Sequence, residues 1–246
     1  MIELKSERQI DEIRKACAVV AKVLREVSGV AKKGTKTVEL DALAKRLILE
    51  SGGRPAFFKY KGFPANICVS INEEVVHGIP SERRIEAGDL VSVDLGVELN
   101  GFFGDAAVTF AVGKAGKKAK ALIDTTKEAL HKGIDAARAG NRLGDVSNAI
   151  QVYAERNGFS VVKDLVGHGV GFRIHEDPQV PNFGEAGKGV RLKEGMVLAI
   201  EPMINAGALE VETLDDGWTV VTKDRALSAH FEHTIAITKN GTEILT

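Results

Sequence analysis

Apolar residues near the start of the chain recur every three or four positions, which is the period of an amphipathic α-helix. One such run follows the capping-box sequence SERQ and continues to Val27, and a second begins at about Thr37. Segments with β-strand character and turn residues between them follow at 67–71, 89–97 and 106–112. The pattern therefore predicts two helices and then a group of strands.

The same order of elements occurs a second time. Helices are predicted at 117–137 and 143–157, and strands at 160–166, 197–204 and 234–238. The sequence EAGDLVSVDL aligns with KEGMVLAIEP, which places Gly88 on Gly195, and the helical segments align at nearly the same shift. The repeat predicts a single domain, 1–246, built from two pseudo-symmetric halves of about 1–113 and 114–246.

The segment VSVDLGVELNGFFGD, residues 91–105, has the alternation of a β-hairpin but carries a carboxylate on each arm. If Asn100-Gly101 forms a two-residue turn, position 94 lies opposite 107 and position 105 lies opposite 96. Asp94 and Asp105 then share one face of the sheet as diagonal neighbours. A three-residue turn would change this parity, so the shared face depends on the turn.

The repeat assigns a matching pair of acids to the second half, because Asp94 aligns with Glu201 and Asp105 with Glu232. Each acid alone is compatible with a turn residue or with the partner of a nearby Arg or Lys. Four acids at matching places need a strongly positive object between them, since burial of unpaired carboxylates is unfavourable. A pair of divalent cations is the simplest object of that kind.

Histidines supply candidate nitrogen ligands for such cations. His168 and His175 lie in the glycine-rich stretch VGHGVGFRIHEDPQVPNF, and His77 and His233 are further candidates. Mostly oxygen ligands with one imidazole suit divalent Mn, Fe or Co as well as Zn, whereas structural zinc favours cysteine-rich sites. Paired metals activate water and polarise a carbonyl group. The residues therefore predict metal-assisted hydrolysis, without identifying the bond that is cleaved.

Composition narrows the classes of partner. The 246 residues are 44% apolar and 27% charged, and 33 basic residues nearly balance 34 acidic ones, so no strong field favours nucleic acid or a membrane. The two cysteines are too few for a disulfide scaffold. No signal-peptide pattern or bilayer-spanning apolar run is recognised. A cytoplasmic location is expected.

Five segments, in order and in spacing, closely resemble the type I methionine aminopeptidases. They are VSINEEVVHGIP, GDLVSVDLGVELNGFFGDAAVTF, GHGVGFRIHEDPQVPNFG, GMVLAIEPMI and GWTVVTKDRALSAHFEHT. The resemblance implies the α+β pita-bread fold, with duplicated helix-plus-hairpin halves and a central antiparallel sheet backed by helices. It also implies removal of the N-terminal methionine from nascent polypeptides by hydrolysis of the first peptide bond, with small second residues favoured.

The resemblance further implies a site with two divalent metal ions per chain, Co, Mn, Fe, Zn or Ni. Its implied metal ligands are Asp94, Asp105, His168, Glu201 and Glu232. Among them, Asp105 and Glu232 bridge the two ions, and Glu201 also accepts a proton. The residue equivalent to His175 contacts the scissile amide in this family, and the one equivalent to His77 orients the substrate and assists the departing amine.

The resemblance also implies a pocket for the methionine side chain. By position, its residues are Tyr60, Phe63, Cys68 and Trp218, closed by Phe57 and Ile174. An unbranched thioether suits such an apolar slot. The chain departs from the usual family pattern at Phe57, Lys61, Ile174 and His230, where cysteine, histidine, phenylalanine and glutamine are common. These departures affect the expected shape of the pocket and leave the five ligands in place.

The expected partners are nascent polypeptide N-termini near the ribosome, with no nucleic acid or membrane partner, and the protein is expected to be a monomer. Two alternatives stay open. A Xaa-Pro aminopeptidase or dipeptidase uses the same scaffold, although such relatives usually add an N-terminal domain. A non-enzymatic binding protein with this fold is the other alternative, and such proteins typically lose metal ligands that are intact here.

Overall fold

The computed structural model describes residues 2–246 as helices packed on antiparallel sheets. The helices are α1 (Glu7–Val30), α2 (Thr37–Glu50), α3 (Lys117–Ala136) and α4 (Leu143–Arg156), with a 3₁₀ turn at Tyr60–Gly62. The strands of the first half are β1 (Arg54–Pro55), β2 (Cys68–Ile71), β3 (Glu74–Val76), β4 (Leu90–Leu99) and β5 (Phe102–Ala111). Those of the second half are β6 (Ser160–Val161), β7 (Val166–Gly169), β8 (Glu176–Pro181), β9 (Val197–Ile200), β10 (Met203–Asn205), β11 (Val211–Thr213), β12 (Val220–Thr222), β13 (Ser228–His230), β14 (Glu232–Thr238) and β15 (Gly241–Ile244).

Helix α1 begins at the capping box that the sequence provides. The Ser6 N–H donates to Gln9 Oε1 at 2.8 Å, and the Gln9 N–H donates to Ser6 Oγ at 3.4 Å. These bonds satisfy two donors at the helix start that have no partner within the helix. The buried face includes Ile13, Cys17 and Val20, which keep the spacing of four and three. The predicted first helix is confirmed.

The hairpin β4–β5 has the register predicted from a two-residue turn. Asn100 and Gly101 have φ values of 55° and 80°, the left-handed conformation that a type I′ turn requires. Position 94 pairs with 107, and position 96 pairs with 105. Asp94 and Asp105 therefore lie on one face of the sheet as diagonal neighbours, as predicted.

Strands of both halves join in one nine-stranded sheet of order β1-β4-β5-β14-β9-β7-β8, with β2 also paired to β4 and β15 to β14. All pairs in this sheet are antiparallel. The halves meet where β5 pairs with β14, with Glu232 opposite Ala107. The predicted α+β class with a central antiparallel sheet is confirmed.

Side chains that alternate with the acids anchor the sheet to the helices. Val93 and Leu95 flank Asp94 and point away from it, because successive residues of a strand face opposite sides. They pack in one buried core with Val20 of α1 and Leu40 of α2. A second core contains Leu122 and Ile150 from α3 and α4 together with Leu198 and Ile200 from β9. The side chains of these two cores thus lie on the side of their strands opposite the acids.

Two predicted strands are wrong as single elements, because each is divided between two sheets. The predicted strand 197–204 is split into β9 and β10, and Pro202 at the break has no N–H to continue the ladder. The predicted strand 160–166 covers β6 and only the first residue of β7. β6 and β10 pair in a separate sheet with β13. The break after β9 leaves Glu201 at the end of its strand.

Several short strands were not predicted, namely β1, β3, β8, β11, β12, β13 and β15. Most have two to four residues, too few to show a clear period, and some are fixed by partners distant in sequence. β3, for example, pairs with β12 in a three-stranded sheet that includes β11.

Among residues 2–246, no helix combines the length and apolar character needed to cross a membrane.

Candidate metal centre and substrate pocket

Four adjacent strands of the large sheet each deliver one carboxylate to the same face. Asp94 lies on β4, Asp105 on β5 and Glu232 at the start of β14, and Glu201 directly follows β9. Position 233 of β14 pairs with position 200 of β9, and continuing that register by one residue places Glu232 opposite Glu201. In the strand order, Asp105 and Glu232 are therefore the two inner acids, and Asp94 and Glu201 are the two outer acids. This agrees with the alignment of the two halves.

His168 reaches the cluster from β7, the next strand beyond β9. Its Nδ1–H donates to the Gly169 carbonyl at 3.0 Å, which leaves Nε2 free to act as a ligand. Nε2 lies 3.4 Å from Glu201 Oε1 and 3.8 Å from Asp105 Oδ2. The ligating atoms of Asp105, His168 and Glu232 all lie within 4.8 Å of one another.

The carboxylates are buried, and no lysine or arginine in residues 2–246 forms an ion pair with them. Asp94, Asp105 and Glu232 each keep one oxygen without a hydrogen-bond partner in that range. Burial raises the pKa of all four carboxyl groups, and neighbouring acids raise those of Asp105 and Glu232 further. Unpaired buried oxygens with one imidazole are a donor set that fits divalent cations.

The four carboxylates and His168 line one cavity, and two further histidines line it as well. The His175 ring lies 4.1 Å from that of His168, centroid to centroid, and stacks on Tyr60 at 5.1 Å. His77 meets Trp218 edge to face at 6.3 Å. Burial lowers the pKa of His77 to about 4 and that of His175 to about 3. Both rings are therefore neutral near pH 7, and each carries one N–H donor and one acceptor.

An apolar pocket adjoins the carboxylate cluster. Its buried residues are Phe57, Phe63, Cys68 and Ile174, with Tyr60 and Trp218 packed against them. Phe63 meets Trp218 edge to face at 5.1 Å. Cys68 of β2 pairs directly with Asp94 of β4, so the pocket begins next to the acids. The structure thus brings together every residue predicted for the pocket.

Gly96 permits the pocket to close, a role that was not predicted from the sequence. A Cβ atom at this position would lie 2.7 Å from Ile174 Cδ1 and 3.0 Å from Phe57 Cε1. Any larger residue would push these two side chains apart. Lys61 lines the cavity as well, and its ammonium group lies 5.4 Å from the centroid of the Tyr60 ring.

Two polar residues that support the acids were also missed. Thr234 Oγ1 accepts from the Asp105 N–H at 3.1 Å and donates to the Asp105 carbonyl at 2.7 Å, which ties β5 to β14. Asn182 Nδ2 donates to the Glu201 carbonyl at 3.0 Å, at the break after β9. Neither forms a local pattern, because each partner is distant in sequence.

His233 was a candidate nitrogen ligand, but the structure places it elsewhere. Its Nδ1 hydrogen-bonds Thr246 Oγ1 at 2.8 Å, and its ring lies 6.4 Å from that of His131. As the residue after Glu232 on the same strand, it faces the opposite side of the sheet. The imidazole of His233 therefore lies on the side of the sheet away from the acids.

The sequence model of metallopeptidase family M24 matches residues 11–239, which is most of the chain. The chain belongs to metallopeptidase family M24. This M24 metallopeptidase is 53% identical over 246 residues to the methionine aminopeptidase of Clostridium perfringens, which covers 100% of this chain and 99% of that relative. The crystal structure of methionine aminopeptidase from Thermotoga maritima matches with a TM-score of 0.98 and 48% identity, covering 100% of this chain and 99% of that one.

A more distant M24 likeness concerns the fold. The prolidase from Pyrococcus furiosus matches with a TM-score of 0.80 and 27% identity, over 99% of this chain and 65% of that one. The predicted pita-bread fold is confirmed by these matches. Membership of the family also implies use of a divalent metal, for which Asp105, His168 and Glu232 form a suitable group in this M24 metallopeptidase.

Proposed function

We propose that this metallopeptidase removes the N-terminal methionine from polypeptides by hydrolysing the first peptide bond. The observation that carries the proposal is the closed apolar pocket, with Phe63, Cys68 and Trp218, directly beside the carboxylate cluster. A flexible, unbranched thioether suits a slot lined by aromatic rings and sulfur. The full-length relatives named methionine aminopeptidase favour this activity over the proline-directed alternative.

The proposed site holds two divalent metal ions. The inner acids, Asp105 and Glu232, would be shared between them, with Asp94 on one side and His168 and Glu201 on the other. When bound, such ions polarise a carbonyl group and lower the pKa of water. The donor set accepts Co, Mn, Fe, Zn or Ni, so availability selects the ion.

The chain's own histidines and Glu201 orient the peptide and move protons. Neutral His175 donates its N–H to the scissile carbonyl oxygen, where negative charge develops during attack. His77, at the Trp218 side of the cavity, orients the substrate and supports the departing amine. Glu201 accepts a proton from the attacking water and delivers it to the leaving nitrogen.

Small second residues are favoured in this proposal. His175, Tyr60 and Lys61 all line the cavity, and the stacking of the two rings with Lys61 beside Tyr60 narrows the space that a second residue would have to enter. We further propose nascent N-termini near the ribosome as substrates, a cytoplasmic location and a monomeric protein. The near balance of 33 basic and 34 acidic residues supports the absence of a nucleic acid or membrane partner.

The first test compares hydrolysis of Met-Ala-Ser and Ala-Pro-Ser after Mn, Co or Fe is added to metal-free protein. Release of methionine from Met-Ala-Ser alone is expected, and cleavage of Ala-Pro-Ser alone would overturn the proposal.

Trp218→Ala should raise KM for Met-Ala-Ser at least about tenfold, because one wall of the pocket is removed. Phe58→Ala is the matched control, since this aromatic residue is 44% exposed and is expected to leave KM unchanged.

A further inference from the structure

His230 is a buried imidazole beside the carboxylate cluster to which the proposed reaction gives no role. It is 1% exposed and ends β13. The backbone N–H of His230 donates to Thr109 Oγ1 at 2.9 Å, and its backbone carbonyl accepts from the same hydroxyl at 2.7 Å. Its strand also pairs it with Met203 of β10. The backbone is held on both sides, so the fold determines where the ring lies.

The His230 ring is directed at Glu201. Its Nε2 lies 3.6 Å from Glu201 Oε2, while Glu201 Oε1 lies 3.4 Å from His168 Nε2. Two imidazoles therefore flank one carboxylate, with one ring at each oxygen. His168 is a predicted metal ligand on one side, and His230 occupies the side away from it.

Neither ring nitrogen of His230 has a hydrogen-bond partner among residues 2–246. An unsatisfied donor at a fully buried site is unfavourable, so the ring needs an acceptor. Glu201 Oε2 is just beyond hydrogen-bond distance, and a slight rotation of either side chain closes the gap. Carboxylates that ligate metals are commonly held by an outer hydrogen bond of this kind.

We propose that His230 is a positioning residue of the metal centre, whose Nε2–H donates a hydrogen bond to Glu201 Oε2. The bond would leave Oε1, on the His168 side, available to the metal that Glu201 and His168 would hold. This inference deepens the proposed function, because it rests on the proposed metal site, although it is independent of the peptide cleaved. Without the bond, Glu201 rotates more freely, and the metal that it shares with His168 binds more weakly.

Titration of metal-free protein with Mn²⁺ by calorimetry tests the inference in His230→Leu and His230→Gln. Leucine fills the space without a donor, whereas the glutamine amide can donate to the same oxygen. We expect His230→Leu to weaken Mn²⁺ binding at one site by about 10- to 100-fold and His230→Gln to bind within about threefold of the unsubstituted protein. Equal affinity in His230→Leu, or equal losses in both variants, would overturn the inference.

A spectroscopic measurement on the unsubstituted protein does not depend on the folding of a variant. Long-range ¹H–¹⁵N spectra of the Zn²⁺-loaded protein should show His230 as the Nε2–H tautomer, with its signal identified by its absence in His230→Gln. A ring with an unprotonated or metal-bound Nε2 would contradict the proposed bond. Failure of the unsubstituted protein to bind Mn²⁺ or Zn²⁺ would instead contradict the metal site and the proposed function as a whole.

Discussion

Buried ionisable side chains surround the site, and removal from water favours the neutral form of each of them. For Asp105 and Glu232, burial and then the neighbouring acids raise the pKa of the carboxyl group, and a bound cation would favour the ionised form. For His77 and His175, burial lowers the pKa of the ring, so that they stay neutral without help. The same physical effect therefore suits the acids for binding metal and the histidines for donating hydrogen bonds.

At this scale, His77 should make stability depend on pH. Its pKa is lowered from 6.5 to about 4, chiefly by burial and then by His230, so below pH 6.5 the unfolded chain binds a proton that the folded chain does not. The stabilising contribution is complete above pH 6.5 and is lost as the pH falls towards 4. Between pH 7 and pH 5 this one group should remove about 1–2 kcal/mol from the free energy of unfolding.

Urea denaturation of metal-free protein at both pH values measures this effect. His77→Asn is the comparison variant, because asparagine tolerates the φ of 60° at this position and does not titrate in this range. The variant should lose less stability than the unsubstituted protein on acidification. Equal losses in the two proteins would show that His77 is not the group responsible.

At the scale of elements, the segment before β8 depends on an anchor from the start of the chain. Glu176 follows His175 directly and accepts from the N–H groups of Phe172 at 2.6 Å and Arg173 at 2.9 Å. Its carboxylate also pairs with the Lys5 ammonium, and the two side chains are only 2% and 1% exposed. The N-terminal segment therefore fixes the loop that carries His175.

Lys5→Met should destabilise the protein by about 3–5 kcal/mol, because it leaves the Glu176 carboxylate buried without its partner. The free energy of unfolding from urea denaturation measures the loss. Lys15→Met is the matched control, since Lys15 pairs with Glu12 on the surface and its side chain is 58% exposed. The control should change stability by less than about 0.5 kcal/mol, and similar losses in both variants would refute the role of the buried pair.

An element could be predicted from the sequence when the residues that determine it are close together in the chain. α1 is fixed by a local cap and period, and the β4–β5 register by the Asn100-Gly101 turn, so both were predicted. The division of β9 from β10 was missed, although Pro202 was visible in the sequence, because the second strand is defined by its partners β6 and β13. The anchor between Lys5 and Glu176 was missed because nothing local joins them.

At the scale of the whole molecule, the four clustered acids come from both halves of the chain. Asp94 and Asp105 belong to the first half, and Glu201 and Glu232 belong to the second. The strands that carry the inner acids, β5 and β14, are paired directly. A bound metal would therefore bridge the halves and bind the folded chain in preference to the unfolded one.

Mn²⁺ should stabilise the folded protein through this linkage. At a free concentration 100 times Kd, binding at one site adds about 2.7 kcal/mol to the free energy of unfolding. Thermal or urea denaturation with and without Mn²⁺ measures the gain. Asp94→Asn should keep the fold, judged by circular dichroism, and show a smaller gain and loss of turnover; an undiminished gain with full turnover would contradict the assignment of Asp94.

The sequence by itself determined the helices, the parity of the first hairpin and the pairing of four acids between two similar halves. These features depend on local periods, a two-residue turn and an internal repeat, all of which a single chain displays. Only the tertiary structure decided that β5 lies beside β14, that His230 reaches Glu201 while His233 turns away, and that Lys5 holds Glu176. Those contacts join residues distant in sequence, and their geometry follows from how the strands and helices pack.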